Sequence, residues 1–277
     1  MDNKILLDRV RGALYGFAIG DAMGATTEFM TKERIAAEFG TLKEIIGGGW
    51  LKLEAGCITD DTQMSMCIMS ALMKVGTSDL GLFKRECMEN FVNWYCSLPP
   101  DVGGQCSRGI RYYMATKQFI KPDDTALGNG SLMRALPCAL ICDEEANVAQ
   151  GVITHNAKDC SVAIRSYTKC ITSLIYDEDK RCMFTAELLL QPTGCVINTL
   201  NNAYYWANKD TFEECIIGAV NHGGDSDTIG AIAGSLSGAR FGISTIPERW
   251  LKTLNKDVTE ALDVFANWVV KNHSRKN

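Results

Sequence analysis

The chain has 277 residues, of which 46% are hydrophobic and 22% charged, with a formal net charge of −5. These proportions are ordinary for a soluble globular protein, and a chain of this size can bury about three quarters of its unfolded surface. The acidic balance, with no basic run, excludes electrostatic binding of nucleic acid as the main activity, and no apolar run reaches membrane-spanning length.

The first segment, MDNKILLDRVRG, lacks the long apolar core of a signal peptide, so a cytoplasmic location is expected. Residues 4–23 predict a core helix, because Ile5, Val10, Ala13, Leu14, Phe17 and Ala18 recur near helical spacing. Gly12, Gly16, Gly20 and Gly24 step by four through it, and Gly230, Gly234, Gly238 and Gly242 step the same way. Such a series lowers helix propensity but leaves a shallow ridge that another helix can approach closely. The two ridges are expected to meet at the centre of the fold.

Residues 26–50 read as loop-rich and end in Gly47-Gly48-Gly49, with Glu28 at their start. Taken alone, Glu28 is a solvated surface carboxylate. Residues 44–58 are the one place for a short hairpin. Residues 59–75 predict a strong helix with Thr59 as its cap, Met64, Ile68, Ala71, Leu72 and Val75 on one face, and Gly76 as its stop. Its first turn carries Asp60 and Asp61. A further helix over 78–98 is stopped by Pro99-Pro100.

Asp101 then leads a glycine-bearing loop, with Gly103 and Gly104, into a helix that holds Ile110 and Tyr113. Backbone amides at such a junction can bind phosphate oxygens, although a pair of glycines also makes an ordinary turn. Residues 128–134 lead into a short helix interrupted near Pro137, where Asn129 between Gly128 and Gly130 fits a left-handed turn. His155 ends one helix ahead of another over 159–176. Helices over 195–207, 247–254 and 258–273 follow the same periodicity. Thr211 to Glu214 forms a capping box for the helix that leads to His222. The pattern is all-α: a single compact domain spanning residues 1–277, with about a dozen helices packed at steep angles.

Twelve cysteines without a CxxC pair are scattered through these helices and are expected to be reduced and buried. Three histidines, at 155, 222 and 273, with no partner cysteine at ligand spacing, leave no zinc site. The more informative residues are oxygen donors. Thr59-Asp60-Asp61-Thr62 and Asp225-Ser226-Asp227-Thr228 are two aspartate-rich helix starts, more than capping needs, since one acceptor satisfies a cap. Asp225 and Asp227 are two apart and converge only if Asp225 lies just outside its helix. Four carboxylates brought together would repel without a cation. An oxygen-only donor set favours a hard divalent ion, Mg2+ or Mn2+, over zinc, and Thr59, Asp60, Asp61, Asp225, Asp227 and Thr228 together offer ligands enough for two such ions. A calcium loop fails because Ile229 and Leu236 occupy ligand positions, and a phosphatase Asp-x-Asp nucleophile would follow an apolar strand rather than His222-Gly223-Gly224.

Four motifs occur in order: Gly16-x-x-x-Gly20-Asp21-Ala22-x-Gly24-x-x-x-Glu28, Thr59-Asp60-Asp61-Thr62, Gly128-Asn129-Gly130-Ser131-Leu132-Met133-Arg134, and Gly224-Asp225-Ser226-Asp227-Thr228-Ile229-Gly230-Ala231. In this combination the chain resembles the ADP-ribosylglycohydrolase family, nearest to its arginine-specific bacterial branch that activates dinitrogenase reductase. The resemblance implies that family's all-α fold and places Glu28 on a flap over the scissile bond. It implies that Gly103 and Gly104 line the ADP-ribose, although relatives carry Thr or Asn where this chain has Gly104-Gln105. It also puts Asn129, Gly130, Ser131 and His155 in the substrate pocket.

The implied activity is metal-dependent hydrolysis of the N-glycosidic bond between ADP-ribose and an arginine side chain. The transition state resembles an oxocarbenium ion, with Asp61 or Glu28 handling water and Asp101 assisting at the ribose. Serine-linked, other O-linked or small-molecule ADP-ribose compounds are the alternative substrates. A non-catalytic ADP-ribose-binding or structural protein is the alternative class, disfavoured because every ligand position is retained. The expected partner is an ADP-ribosylated protein or an ADP-ribose derivative, met by a monomer without a membrane.

Overall fold

Helix α1 (Asn3–Gly24) starts where the Asp2 carboxylate accepts the Lys4 amide, in a computed structural model that describes residues 2–177 and 186–276. Next come α2 (Lys32–Phe39), α3 (Asp60–Val75), α4 (Leu80–Cys96), α5 (Gly104–Thr116), α6 (Leu136–Leu140), α7 (Glu144–Val152) and α8 (Lys158–Tyr176). The remainder comprises α9 (Val196–Ala207), α10 (Phe212–Val220), α11 (Ser226–Phe241), a 3-10 turn at Ile243–Thr245, α12 (Glu248–Thr253) and α13 (Lys256–Lys276). Among the described residues the only β pairing is two isolated bridges, Gly48 with Leu53 and Gly128 with Cys195. The first of these is all that forms of the hairpin expected over 44–58.

Local chemistry explains several of the starts. Thr31, Asp79, Asp143 and Thr211 each accept an amide from the first turn of α2, α4, α7 and α10, the usual service of a short polar side chain at a cap. α5 and α11 begin without a side-chain cap bond, from Gly103 and Asp225. Two expectations need correction. Residues 26–50 contain α2, which buries only Ile35 and so leaves almost no apolar period to read. Residues 128–134 form turns, and Pro137 sits in the first turn of α6, where its missing amide costs nothing, rather than interrupting a helix.

The chain divides into two compact units, one of Met1–Thr59, Cys170–Gly194 and Asn198–Asn277, the other of Asp60–Lys169 and Cys195–Ile197. In the first, α1 and α11 run antiparallel with their glycines face to face: Gly12 meets Gly238, Gly16 meets Gly234, and Gly20 meets Gly230. A Cβ on Gly230 would lie 2.7 Å from the Gly20 carbonyl oxygen, and one on Gly16 would lie 2.9 Å from the Gly234 carbonyl carbon and closer still to its oxygen. The ridges therefore meet as the four-residue step predicts. Around this seam pack α10, α12 and α13, with Trp250 fully buried against Phe212 and its indole donating to the Lys43 carbonyl at 3.0 Å.

In the second unit α4 packs on α3, α5 and α7, and α6 lies against α3 and α7. Phe83, Phe91, Met88, Leu72 and Leu136 are fully buried in its core. Arg134 is buried among them with its guanidinium 4.5 Å from the Phe91 ring centroid. Among the described residues ten cysteines carry free thiols, as expected, but only Cys87, Cys106, Cys138, Cys160 and Cys215 of these are buried, Cys96 and Cys142 being exposed. Cys170 departs from the expectation in being disulfide-bonded. Among the described residues no helix is long and apolar enough to cross a membrane.

Candidate active site

In the first unit, positive φ at Gly223 and Gly224 turns the chain from α10 into α11 so tightly that a Cβ on Gly224 would strike the Pro192 carbonyl. This turn is held by three backbone bonds: Phe29 donates to Gly224 O at 2.7 Å, Gly224 to Met30 O at 2.9 Å, and Asp225 to Pro192 O at 2.9 Å. Asp225 consequently occupies the N-cap position with ψ 59°, and its carboxylate makes no capping bond. That places it outside the helical run, as convergence with Asp227 requires. Glu28, from the turn after α1, joins them: ligand-capable oxygens of Glu28, Asp225 and Asp227 all lie within 4.8 Å of one another. The Thr228 hydroxyl sits 3.4 Å from Asp225 Oδ1.

Glu28 is 5% exposed and Asp227 2% exposed, so the reading of Glu28 as a solvated surface carboxylate fails. Three carboxylates crowded at the positive end of a helix are stabilised partly by its dipole. Their mutual repulsion and burial fit a hard divalent cation, which oxygen donors of this kind hold well. Two neighbouring residues were absent from the predicted set. The Trp50 indole donates to Glu28 Oε2 at 2.6 Å, and the fully buried Asp21 accepts the Thr59 amide at 2.9 Å. Asp21 lies inside the first motif and could have been singled out there; nothing in the spacing pointed to Trp50.

The second unit carries the other predicted residues. Asp60 and Asp61 are buried in the first turn of α3, and Asp60 Oδ2 accepts the Gly103 amide at 3.2 Å. Asp101 is hydrogen-bonded to Asp60, and burial is the main cause that raises its carboxyl above the usual range. The α5 start, Gly104 with Gln105 and Arg108, borders an open pocket of about 320 Å³ lined on its other side by Asp123, Thr125, Ala126 and Leu127. Gln105, the departure from the family pattern, is a brace: its amide donates to Ala126 O and Thr154 O, and its oxygen accepts the Gly128 amide.

None of Gly128, Asn129 or Gly130 takes a positive φ, so the left-handed turn expected for Asn129 does not form. Space is the reason for these glycines. A Cβ on Gly130 would lie 2.7 Å from Cys106 Sγ and 2.8 Å from His155 Cε1, and one on Gly128 would lie 2.9 Å from Gln105 Oε1 and 3.3 Å from His155 Nε2. Ser131 is fully buried beneath this loop. Arg134 donates to Gln150 Oε1, Gln150 O and the Thr154 hydroxyl, at 2.8, 2.9 and 2.6 Å, and that hydroxyl lies 2.9 Å from His155 Nδ1. Burial, with Arg134 and Arg108 adding to it, holds the His155 imidazole well below its ordinary pKa, so the ring is neutral. Burial also pushes the Cys106 thiol up to about 11, which leaves it protonated at neutral pH and no nucleophile.

The model of the ADP-ribosylglycohydrolase family matches residues 2–190 and 175–277. The chain is 40% identical over 273 residues to the ADP-ribosyl-[dinitrogen reductase] glycohydrolase of Rhodospirillum rubrum, covering 91% of this chain and 92% of that protein. It is 28% identical over 286 residues to the ADP-ribosylarginine hydrolase Tri1 of Serratia proteamaculans (strain 568), covering 90% and 75%. A solved structure titled ADP-ribosylglycohydrolase-related protein complex superposes with a TM-score of 0.83 at 27% identity, covering 97% of this chain and 99% of that one.

Proposed function

Because the chain belongs to the ADP-ribosylglycohydrolase family, we propose that it is a metal-dependent hydrolase that removes ADP-ribose from modified arginine side chains of proteins. The observation that carries the chemistry is the convergence of Glu28, Asp225 and Asp227 within 4.8 Å. The arginine linkage is supported by the names of the relatives, which act on ADP-ribosyl-dinitrogen reductase and ADP-ribosylarginine. The ligand set proposed from the motifs is Thr59, Asp60 and Asp61 together with Asp225, Asp227 and Thr228, for two Mg2+ or Mn2+ ions. A hard divalent cation supplies Lewis acidity and charge neutralisation when bound.

The chain's own residues do the rest. Water adds to the anomeric carbon as the bond to the guanidine nitrogen breaks. Glu28, whose carboxylate is turned by the Trp50 indole, takes the proton of that water and returns it to the departing nitrogen, so that ADP-ribose and unmodified arginine result. Buried carboxylates suit the positive charge that develops on the ribose ring. Neutral His155, beside the Gly128–Gly130 loop, offers a ring nitrogen to the bound ADP-ribose without adding charge. Asp101 assists at the ribose, and the α5 amides from Gly104 onward attract the diphosphate.

The test is release of ADP-ribose from arginine-modified and serine-modified protein in parallel, with Mg2+, with Mn2+ and after chelation. Release from the arginine-linked substrate alone, lost on chelation, is expected. Release from the serine-linked substrate alone would transfer the assignment to O-linked ADP-ribose, and binding of ADP-ribose with no release from either would make the chain a reader.

A further inference from the structure

Phe29 and Trp50 are two large aromatic side chains left in water beside a buried carboxylate. Phe29 is 66% exposed and Trp50 48% exposed, yet their rings touch, with centroids 5.5 Å apart and planes tilted by 48°. Nothing in the core calls for this pair. Phe29 carries a structural cost as well. Phe29 adopts φ 60°, a left-handed conformation unfavourable for a bulky residue. It is held there by its amide bond to Gly224 O, directly before Asp225.

Trp50 is fixed as firmly. Gly49 takes φ 67° with its missing Cβ pressed toward the Ala25 carbonyl, and the Thr26 hydroxyl donates to Gly47 O at 2.9 Å. The Trp50 indole N–H then ends on Glu28 Oε2. Two independent backbone constraints therefore hold an exposed ring pair next to the Glu28, Asp225 and Asp227 cluster. An exposed apolar patch at a rigid, strained position is a sign of binding rather than of packing.

We propose that Phe29 and Trp50 are the acceptor subsite: a two-ring platform that receives the planar cation of the arginine side chain while its ribose is attacked. The inference rests on the arginine-hydrolase reading and deepens it by naming residues that select the linkage. A guanidinium stacks on aromatic faces, which carry partial negative charge, and keeps its in-plane N–H groups for neighbouring carboxylates. A serine hydroxyl has neither the plane nor the charge to use such a surface.

The experiment measures kcat and KM on arginine-modified and serine-modified protein, with binding of free ADP-ribose measured alongside, for wild type, Phe29→Leu, Phe29→Ala, Trp50→Phe and Trp50→Ala. Phe29 is exposed, so its variants should fold, and Phe29→Leu keeps apolar bulk while removing the ring. Loss of one ring should raise KM for the arginine-linked substrate by about 5- to 30-fold, the range of a partly desolvated cation–π contact, with ADP-ribose binding within about twofold of wild type. Trp50→Phe keeps a ring and removes only the bond to Glu28, so it should lower kcat with KM little changed, whereas Trp50→Ala should change both. Unaltered KM in both Phe29 variants, or an equal loss of free ADP-ribose affinity, would overturn the subsite. A wild-type chain that releases nothing from the arginine-linked substrate would overturn the functional reading itself, before any variant is compared.

Discussion

Replacing Gly16 by alanine tests the glycine seam on which the first unit is built. In an ordinary helix the change should stabilise by about 1 kcal/mol, since glycine is the poorer helix former. Here the new Cβ would sit 2.9 Å from the Gly234 carbonyl carbon and nearer to its oxygen, and 3.0 Å from Phe212 Cε2. Restoring an ordinary separation of about 3.5–4.0 Å requires the helices to part by roughly 1 Å at mid-seam. The flanking contacts, Gly12 with Gly238 and Gly20 with Gly230, open with them, because both helices are continuous across the seam. Overpacking of this kind costs about 1–3 kcal/mol, and the obstacle here is backbone, which has no rotamer to yield. With a backbone obstacle the cost lies at the upper end of that range, so after the propensity gain we expect a net loss of about 2 kcal/mol, which lowers the melting temperature by roughly 4–8 °C. Gly81→Ala in α4 is the control, because its Cβ would meet only the side-chain atoms of Asp79 and Arg85, at 3.1 and 3.9 Å. Denaturant unfolding of both variants decides it: Gly16→Ala at or above wild-type stability would mean that the helices do not touch through their backbones.

Asp227→Asn should lower turnover by more than about a hundredfold with an unchanged circular dichroism spectrum; full activity would remove Asp227 from the metal ligands. Chelation should lower the melting temperature by roughly 5–10 °C, the loss of about 2.7 kcal/mol that a metal at a hundred times its Kd contributes, and readdition of Mg2+ or Mn2+ should restore it while Ca2+ alone restores less. His155 governs part of the acid limit. Its folded pKa lies below the unfolded value of about 6.5, so the unfolded chain binds a proton that the folded chain refuses, and the contribution present above pH 6.5 is lost as the pH falls below it. Stability between pH 7 and 5 should therefore fall less steeply in His155→Gln than in wild type, and parallel curves would show that the ring titrates normally.

The helices were readable because their apolar residues repeat with a helical period that tertiary packing then used. α1, α3 and α8 begin and end within a residue or two of the expected positions, and α11 begins at the expected aspartate-rich start. α2 escaped because it buries one residue, Ile35, and a single buried position has no period. The glycine ridges were legible for a related reason: a four-residue step of glycines through apolar sequence serves little except close helix contact. The same residue type misled at Asn129. Glycine is selected either for its freedom at positive φ or for its lack of a Cβ, and a sequence cannot distinguish the two. At Gly223 and Gly224 both apply, and at Gly128 and Gly130 only the second, where the His155 ring fills the space.

The carboxylates show where spacing stops being informative. Asp225 and Asp227 declared themselves by standing two apart at a helix start, but Glu28 reaches them across nearly two hundred residues of sequence. Only the turn after α1, tied by backbone bonds to Gly224, brings it there. The tie is a direct outcome of the seam. At its last step Gly24 faces α11 where a Cβ would lie 2.5 Å from Ser226 O and 2.6 Å from the Asp227 amide nitrogen, and the Thr27 hydroxyl lies 3.0 Å from that of Ser226. The end of one helix is thereby fitted to the start of the other with no side chain between them. A methyl group at Gly24 would displace Asp227 before it displaced anything else, so Gly24→Ala should lose metal-dependent stabilisation out of proportion to its loss of stability in the metal-free state. Equal losses with and without metal would separate the seam from the site.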